Sequence, residues 1–192
     1  MSNTLPKTPE MLALVDHNDE LVGQISREDA LDFANLRGCY LRGITVLVMN
    51  STGALWIPTR QKGLEVGSEA LDYSVAGKVR HDESRNVSQS ESYLNAAIRE
   101  YREELNKDVA PDQFGLFART HPVETGIPYF MWNYVVRSDE TPQYNPEVYS
   151  DGQWMMPDEL DARLEAGVRA KNGMAVITHR LLGYEAEHAS YK

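Results

Sequence analysis

Apolar and polar residues alternate along the N-terminal part of the chain in a pattern that predicts strands joined by short turns. Residues 12–16 and 21–26 flank the polar segment HNDE and predict a β-hairpin. Residues 40–50 and 54–61 predict two more strands around the turn Ser-Thr-Gly. The run ITVLVM in the first of these is apolar on both faces, which predicts a strand covered on both sides of its sheet.

The rest of the chain mixes strand and helix patterns in no regular order. Strand patterns follow at residues 71–77, 113–123, 129–137 and 153–156, and helical patterns at residues 27–36, 90–106, 157–167 and 175–189. Ser26 and Pro157 are suitable residues for helix starts. This order predicts the α/β class, with a mixed sheet and helices on both of its faces.

Composition limits the kind of protein this can be. A length of 192 residues suits one domain, which we expect over residues 11–192 after a flexible tail at 1–10. No apolar run reaches the roughly 18 residues that span a bilayer, so we expect no membrane partner. The single cysteine, Cys39, excludes an internal disulfide framework and predicts a cytoplasmic location.

The net charge of −10 argues against a nucleic-acid partner, because phosphate backbones are bound by clustered Lys and Arg. It does not exclude small anionic ligands, since a bound divalent cation can reverse the local sign.

The segment ESYLNAAIREYREELNKD, residues 91–108, concentrates acidic residues on one predicted helix. On a helical wheel centred on the apolar residue Tyr101, Glu104 lies about 60° to one side, Glu100 about 100° and Glu103 about 160°. Glu104 therefore borders the core-facing stripe, and a charged, unpaired group there would be costly.

Two interpretations of these glutamates stay open on spacing alone. They can form a solvated face, on which Glu103 pairs with Arg99 and with Lys107 at i,i+4 spacing. Alternatively, Glu100 and Glu104 can share a divalent cation, which relieves their mutual repulsion and the burial of Glu104.

The same segment resembles the Nudix box: Gly, five residues, Glu, seven residues, then Arg-Glu, an apolar residue, any residue and Glu-Glu. Arg99, Glu100, Tyr101 and the pair at 103 and 104 match the end of this pattern. The resemblance implies a Nudix-type α/β/α sandwich with its catalytic helix at about 90–106. It also implies Mg²⁺ or Mn²⁺ bound by Glu100, Glu103 and Glu104.

The early part of the box is interrupted. Its glycine matches Gly77, and the spacing from the helix selects Glu91 as the early glutamate, with about eight residues inserted between strand and helix. Glu83 is the alternative, because it has the correct spacing from Gly77. Glu91 could instead form a capping box with Ser88. Asn106 replaces the second glycine of the box, and asparagine tolerates the left-handed conformation of a helix C-terminus.

Residues 11–165 further resemble the Nudix branch that contains isopentenyl-diphosphate isomerase and its hydrolase-like relatives. The isomerases carry a catalytic cysteine and a nearby histidine in the region that matches residues 73–79, and this chain has neither there. A proton shuttle across a double bond therefore has no obvious agents. We expect a hydrolase and keep the isomerase as an alternative.

Several further residues are candidates for the site. Arg60, Lys62 and, more weakly, Arg42 could bind substrate phosphates, or could be ordinary surface charges. Gly77 is a further candidate for binding substrate. Glu147 could be a general base or an additional metal ligand. The five histidines show no metal-ligand spacing.

The resemblance thus predicts Mg²⁺-dependent hydrolysis of a nucleoside diphosphate-linked or other organic diphosphate. Metal ions on the box glutamates would activate a water, a carboxylate (Glu103 or Glu147) would take its proton, and Arg99 would support a glutamate. A homodimer is a further expectation from the family. A non-catalytic diphosphate-binding module is a third alternative.

Overall fold

The computed structural model describes residues 9–64, 67–144 and 146–189, so most of the predicted tail, residues 1–8, lies outside it. The strands are β1 (Met11–Val15), β2 (Leu21–Ser26), β3 (Tyr40–Met49), β4 (Leu55–Arg60), β5 (Val75–Lys78), β6 (Gly115–Thr120), β7 (Tyr129–Arg137) and β8 (Tyr149–Met155). The helices are α1 (His81–Ser84), α2 (Gln89–Leu105), α3 (Pro122–Thr125), α4 (Pro157–Glu165) and α5 (Met174–Ala189). Short 3-10 turns lie at Asp29–Leu31, Phe33–Leu36 and Pro111–Gln113.

Strand β3 is the centre of a mixed sheet. It pairs in parallel with β7 along one edge and antiparallel with β1, β5 and β4 in succession along the other. The outer positions are taken by β2 on β1, β8 on β4 and β6 on β7. Every residue of β3 from Leu41 to Met49 is buried, which confirms the prediction of a strand covered on both sides.

Helices pack on both faces of this sheet. Ile44, Val46 and Val48 of β3 belong to the apolar cluster under α2, whereas the alternate residues Leu47 and Met49 belong to a cluster with α4 and α5. Because side chains alternate along a strand, these two clusters lie on opposite faces. The predicted mixed α/β fold is therefore confirmed.

Two predicted elements differ in the structure, and polar side chains explain both. The predicted helix at 27–36 is two 3-10 turns, because Asp32 is extended and its carboxylate accepts a hydrogen bond from the Ala34 amide. The predicted strand at 71–77 forms a regular ladder only from Val75. Before it, the Ser74 hydroxyl accepts from the Val48 amide and donates to the Trp56 carbonyl, so a side chain supplies these bonds.

Helix α2 has the predicted extent and ends. Ser88 is its N-cap, and Asn106 ends it in the left-handed conformation with φ of 50°. Its apolar side packs on β5, β3 and β7, and Tyr93 stacks on Trp132 with ring centroids 4.7 Å apart. The helix is thereby fixed against the sheet, and its C-terminal half brings the glutamates beside the short strand β5.

Candidate metal and catalytic site

One guanidinium, that of Arg99 on α2, organises the glutamates. It contacts Glu83 of α1 (Nε to Oε1, 2.5 Å), Glu100 (Nη1 to Oε1, 2.7 Å) and Glu103 (Nη1 to Oε2, 3.2 Å). It also donates to the Lys78 carbonyl of β5 at 2.9 Å. Arginine can do this because its planar group presents five donors in fixed directions. The predicted contact of Arg99 with a box glutamate is present, and Arg99 contacts three glutamates in all.

Glu100 is buried between α2 and β5, with 8% of the residue exposed. A Cβ atom built on Gly77 would lie 2.0 Å from its Cδ and 2.1 Å from its Oε1, so only glycine leaves room for the carboxylate. Burial raises the pKa of Glu100, and Arg99 opposes the shift. Gly77 was predicted to bind substrate; the structure shows that it supplies the space for Glu100.

Glu104 has the most perturbed carboxyl group of the helix. Its Oε2 atom is buried and has no hydrogen-bond partner within the described part of the chain. Burial raises the pKa of Glu104 to about 8, and the negative charges of Glu100 and Asp72 add to this effect. Lys171 and a hydrogen bond from the Ala76 backbone oppose it only in part. The geometry therefore leaves one buried carboxylate oxygen directed at no protein donor.

The helical wheel ranked two of the glutamates differently from the structure. Glu103 is the most exposed of the three, with 48% of its side chain accessible, as predicted. Glu100 was expected farther from the core than Glu104, yet it is buried, because glycine at position 77 lets the strand approach the helix closely. The predicted pair of Glu103 with Lys107 is replaced, since Lys107 contacts Glu140 at 2.7 Å and Glu103 contacts Arg80 at 3.4 Å.

Glu91, which we selected as the early glutamate of the box, does not join this cluster. Its carboxylate accepts from the Ser88 amide at 2.9 Å, and the Ser88 hydroxyl accepts from the Glu91 amide, which forms a capping box. Glu91 lies nine residues before Glu100, or about 13 Å along the helix axis. Glu83, the alternative, contacts Arg99 instead. With Glu83 as the early glutamate, the inserted residues would follow it and include the start of α2; which of the two belongs to the box stays a prediction.

Arg42 was predicted to bind substrate phosphate, and the structure contradicts this. Its side chain is 4% exposed, and its Nε lies 2.6 Å from the Asp19 carboxylate, which is also buried. The guanidinium also lies over the Tyr93 ring, 5.4 Å from the centroid. A buried ion pair of this kind is costly to break, so Arg42 ties the β1–β2 turn to β3 and α2.

The remaining candidates lie at the other end of the site. Arg60 contacts Asp72 at 3.0 Å and lies over the Tyr149 ring, 5.9 Å from its centroid. Asp72 is 2% exposed, and its charge raises the pKa of Glu104. Arg60 therefore lies near the glutamates, but its guanidinium is ion-paired with Asp72. Lys62 is exposed in the turn after β4, and Glu147 is exposed just before β8.

The residues present fit a divalent cation. Glu100 and Glu104 offer carboxylate oxygens in a partly buried place, and the unpartnered Glu104 oxygen lacks only a positive neighbour. Asp72 and Lys171, which influence Glu104, were not singled out from the sequence. Asp72 lies in a predicted strand and Lys171 in a loop, and no local pattern could have shown that they act on α2.

A second group of possible ligands lies between α4 and α5, where Asp161, Glu165 and His179 have ligand atoms within 4.8 Å of one another. This group was not predicted from the sequence, because the histidines do not show the spacing of metal ligands. His179 Nε2 lies 2.7 Å from the Asp161 carboxylate, which an ordinary surface contact between two helices explains.

Comparisons with known proteins identify the family of the chain. The family model described as the NUDIX domain matches residues 40–175. The chain is 39% identical to a Nudix hydrolase of Deinococcus radiodurans over 171 residues, which cover 89% of this chain and 93% of that protein. It is 32% identical to an uncharacterized Nudix hydrolase of Nostoc sp. over 165 residues, 86% of this chain and 91% of that one.

Solved structures show the same fold. A crystal structure of a Deinococcus radiodurans protein superposes with a TM-score of 0.72 at 36% identity, covering 89% of this chain and 98% of that one. A NUDIX hydrolase from Alicyclobacillus acidocaldarius superposes with a TM-score of 0.59 at 12% identity, covering 80% and 96%. The second likeness concerns the fold alone. From the family model, the two relatives and the box residues on α2, the chain belongs to the Nudix hydrolase family.

Proposed function

We propose that this protein hydrolyses an organic diphosphate in a Mg²⁺-dependent reaction, with nucleoside diphosphate-linked compounds as the first class to test. The observation that carries the proposal is the buried Oε2 of Glu104, which has no hydrogen-bond partner among the described residues. A charged carboxylate is stable in such a place only beside a cation, and Mg²⁺ prefers oxygen ligands. Family membership supports a diphosphate-containing substrate.

Glu100, Glu103 and Glu104 would hold the metal, and Mn²⁺ could replace Mg²⁺. A bound divalent ion supplies positive charge for the phosphate oxygens and lowers the pKa of a coordinated water. Gly77 keeps Glu100 close to the strand. Arg99 holds Glu83, Glu100 and Glu103 in fixed positions, a supporting role that commonly changes activity when it is removed.

A carboxylate must accept a proton from the attacking water, and two candidates remain. Glu103 is half exposed and is held by Arg80 and Arg99, so its position is fixed while its oxygens reach solvent. Glu147 is exposed in the segment before β8. Comparing Glu103→Gln with Glu147→Gln identifies the base, because the variant that lacks it loses turnover while keeping substrate affinity.

The direct test is a hydrolysis screen over nucleoside di- and triphosphates, sugar nucleotides, dinucleotides and prenyl diphosphates, with and without Mg²⁺. We expect release of a monophosphate product from at least one class, only with Mg²⁺, and loss of this activity in Glu104→Gln. Full activity of Glu104→Gln would remove the glutamate helix from the mechanism.

The alternatives give different results in the same screen. An isomerase would convert isopentenyl diphosphate without cleaving phosphate, which proton NMR detects; Cys39 lies ahead of β3, away from Gly77 in sequence, and gives this reaction no thiol beside Glu100. A non-catalytic module would bind no Mn²⁺ in calorimetry and would cleave none of the panel.

Three finer expectations belong to the proposal. A single domain over residues 11–192 is supported by β1 and β2, which precede the residues matched by the family model and pair into the same sheet. Among the described residues, no helix has the length and apolarity to cross a membrane. A cytoplasmic location and a homodimer are inferred from cysteine content and family resemblance, and cell fractionation and light scattering test them.

A further inference from the structure

A cavity of about 530 Å³ lies beside β5, next to the strand that packs on the glutamates. Its size is within the range of small-molecule sites. Ala76 and Lys78 alternate with Gly77 along β5, so their side chains point away from Glu100 and line the cavity. The Ala76 backbone also donates to Glu104. The cavity and the carboxylate cluster thus share one strand of four residues.

The charge of the cavity is opposite to that of the whole chain. The described residues that line it include four cations and no carboxylate, in a protein with net charge −10. The cations are Arg27, Lys78, Arg169 and Lys171. They come from three separate segments, so their convergence is a property of the fold rather than of a basic stretch of sequence. Arg27 is paired with Glu10 at 2.6 Å. The remaining positive charges repel one another and favour an anionic occupant.

Lys78 is the cation for which the protein offers least compensation. Within the described residues it forms no ion pair with a carboxylate, and its ammonium lies over the Tyr129 ring, 5.9 Å from the centroid. Burial lowers the pKa of Lys78, the charges of Arg27 and Lys171 lower it further, and the charge of Glu10 opposes this shift only in part. A partly buried ammonium without an anion is unfavourable, so its position indicates a missing negative partner.

Lys171 is the second cation whose charge is only partly neutralised by a carboxylate. Its Nζ lies 3.6 Å from the Asp72 carboxylate, but Arg60 holds the same oxygen more closely, at 3.0 Å. The backbone around Lys171 is fixed, because its amide donates to the Leu71 carbonyl and the Arg169 carbonyl accepts from the Leu71 amide. The ammonium is therefore held between the cavity and Glu104, whose pKa it lowers.

Part of the cavity wall, next to Lys78, is apolar. Phe33 and Tyr129 meet there edge to face, with ring centroids 6.1 Å apart, and Phe33 is 49% exposed although it is a large aromatic residue. Leu31, Ile127 and Met131 extend this wall. A cavity lined by cations and by aromatic and aliphatic side chains suits an anion joined to an apolar or aromatic group.

We propose that Lys78 and Lys171 form an anion subsite for a phosphate group of the substrate, and that the wall formed by Phe33 and Tyr129 contacts the organic group attached to it. This inference rests on the proposed function, since it assigns the substrate-binding side of the same site. Both ammonium groups line the cavity beside β5, and Lys171 also acts electrostatically on Glu104. They therefore select substrates by charge before any metal-dependent step.

The test separates this subsite from the metal by using inorganic pyrophosphate in a buffer with EDTA. Calorimetry should detect binding to the wild-type protein, and Lys78→Met should weaken it by at least about tenfold, the loss expected for one charged hydrogen bond. Lys171→Met should weaken it as well, whereas Lys78→Arg should retain it. Arg163→Met is the matched control, because it removes an exposed cation of α4 that pairs with Glu159.

Failure of this inference is distinguishable from failure of the proposed function. If Lys78→Met binds pyrophosphate as tightly as the wild type, or if the wild type binds none, the subsite is wrong even when the enzyme is active. If Glu104→Gln binds pyrophosphate without metal and hydrolyses no diphosphate, both proposals are supported. For the best diphosphate of the panel, Lys78→Met should raise KM by a similar factor, whereas an unchanged KM would contradict the subsite.

Discussion

The two sides of β5 carry crowded charges of opposite sign, and the protein treats them differently. On the α2 side, one guanidinium contacts three glutamates, and a single buried oxygen of Glu104 is left without a donor. On the cavity side, no carboxylate lines the wall, and the ammonium of Lys78 forms no ion pair with the described carboxylates. On the acidic α2 side, protein groups thus contact most of the glutamate oxygens, and a cation beside Glu104 is missing. On the basic cavity side, the missing group is an anion.

This difference supports the proposal that the acidic side binds a metal ion and the basic side binds a substrate that is released. Ligands of a metal must be held in fixed geometry, and Arg99 and Gly77 provide that for Glu100. A substrate subsite must release its ligand after each turnover, so flexible lysines on separate segments suit it. Under the proposed function, a divalent cation would supply the missing charge on the acidic side and the diphosphate that it binds would supply the anion on the basic side.

The largest expected effect comes from filling the space that separates the two sides. In Gly77→Ala the new methyl group would meet the Glu100 carboxylate at about 2 Å. We expect a loss of stability of about 1–3 kcal/mol from overpacking. We also expect hydrolysis to fall about a hundredfold, because Glu100 must move by more than half an ångström. Chemical denaturation and steady-state kinetics measure the two effects.

Gly183→Ala is the matched control for that variant. An added Cβ at Gly183 meets no atom within 4 Å, and the residue lies inside α5. The substitution should raise stability by about 0.5–1 kcal/mol through helix propensity and should leave hydrolysis unchanged. Normal activity of Gly77→Ala would show that Glu100 is not needed where it lies.

A second prediction tests whether Glu83 supports the glutamates of α2 through its contact with Arg99. Glu83 contacts Arg99, so Glu83→Gln should loosen the arginine and lower activity by about 10- to 100-fold. The measurement is kcat and the apparent Mg²⁺ affinity at saturating substrate. Equal activity of the Glu83→Gln and wild-type proteins would contradict the role that the structure gives to Arg99.

The acidic side also predicts a pH dependence of stability in the absence of metal. The pKa of Glu104 is about 8 in the folded protein and 4.5 for an ordinary glutamate. The folded protein therefore holds a proton that the unfolded chain has released, and stability decreases as the pH rises from about 5 to 8. Thermal unfolding in EDTA should show a lower Tm at pH 8 than at pH 5, with a smaller difference in Glu104→Gln. Equal differences in both proteins would contradict the buried carboxylate.

The smallest effect is expected at the start of α2. Glu91→Gln weakens the capping box with Ser88 and should cost at most about 1 kcal/mol of stability. Hydrolysis should stay at the wild-type rate, because Glu91 lies more than two helical turns from Glu100. A large loss of activity would place Glu91 back in the site.

The acidic side could be predicted from sequence, and the reason is its continuity. Glu100, Glu103, Glu104 and Arg99 lie within six residues of one helix, so a wheel and the box spacing were enough to find them. Glu83 and Glu91 stayed alternatives for the early glutamate, because spacing along the helix contains no information about α1. Only the packing of α1 against α2 shows which carboxylate reaches Arg99.

The cavity side could not be predicted, because its residues meet only through the tertiary structure. Lys78 and Lys171 are 93 positions apart, and the pairing of Leu71 with Ala170 brings their segments together. Arg42 shows the opposite error: it looked accessible at the start of a strand, yet Asp19 from the β1–β2 turn buries it. The positions of the strands along the chain were predictable from the alternation of apolar and polar residues. The side-chain contacts named here depend instead on how distant segments pair in the fold.

The most direct test of the central claim is calorimetric titration of Mn²⁺ into the wild-type protein, Glu104→Gln and Glu91→Gln. We expect the wild type and Glu91→Gln to bind Mn²⁺ with similar affinity. Glu104→Gln should bind it at least about tenfold more weakly. If Glu104→Gln binds Mn²⁺ as tightly as the wild type, the buried oxygen of Glu104 is not a metal ligand, and the account is contradicted.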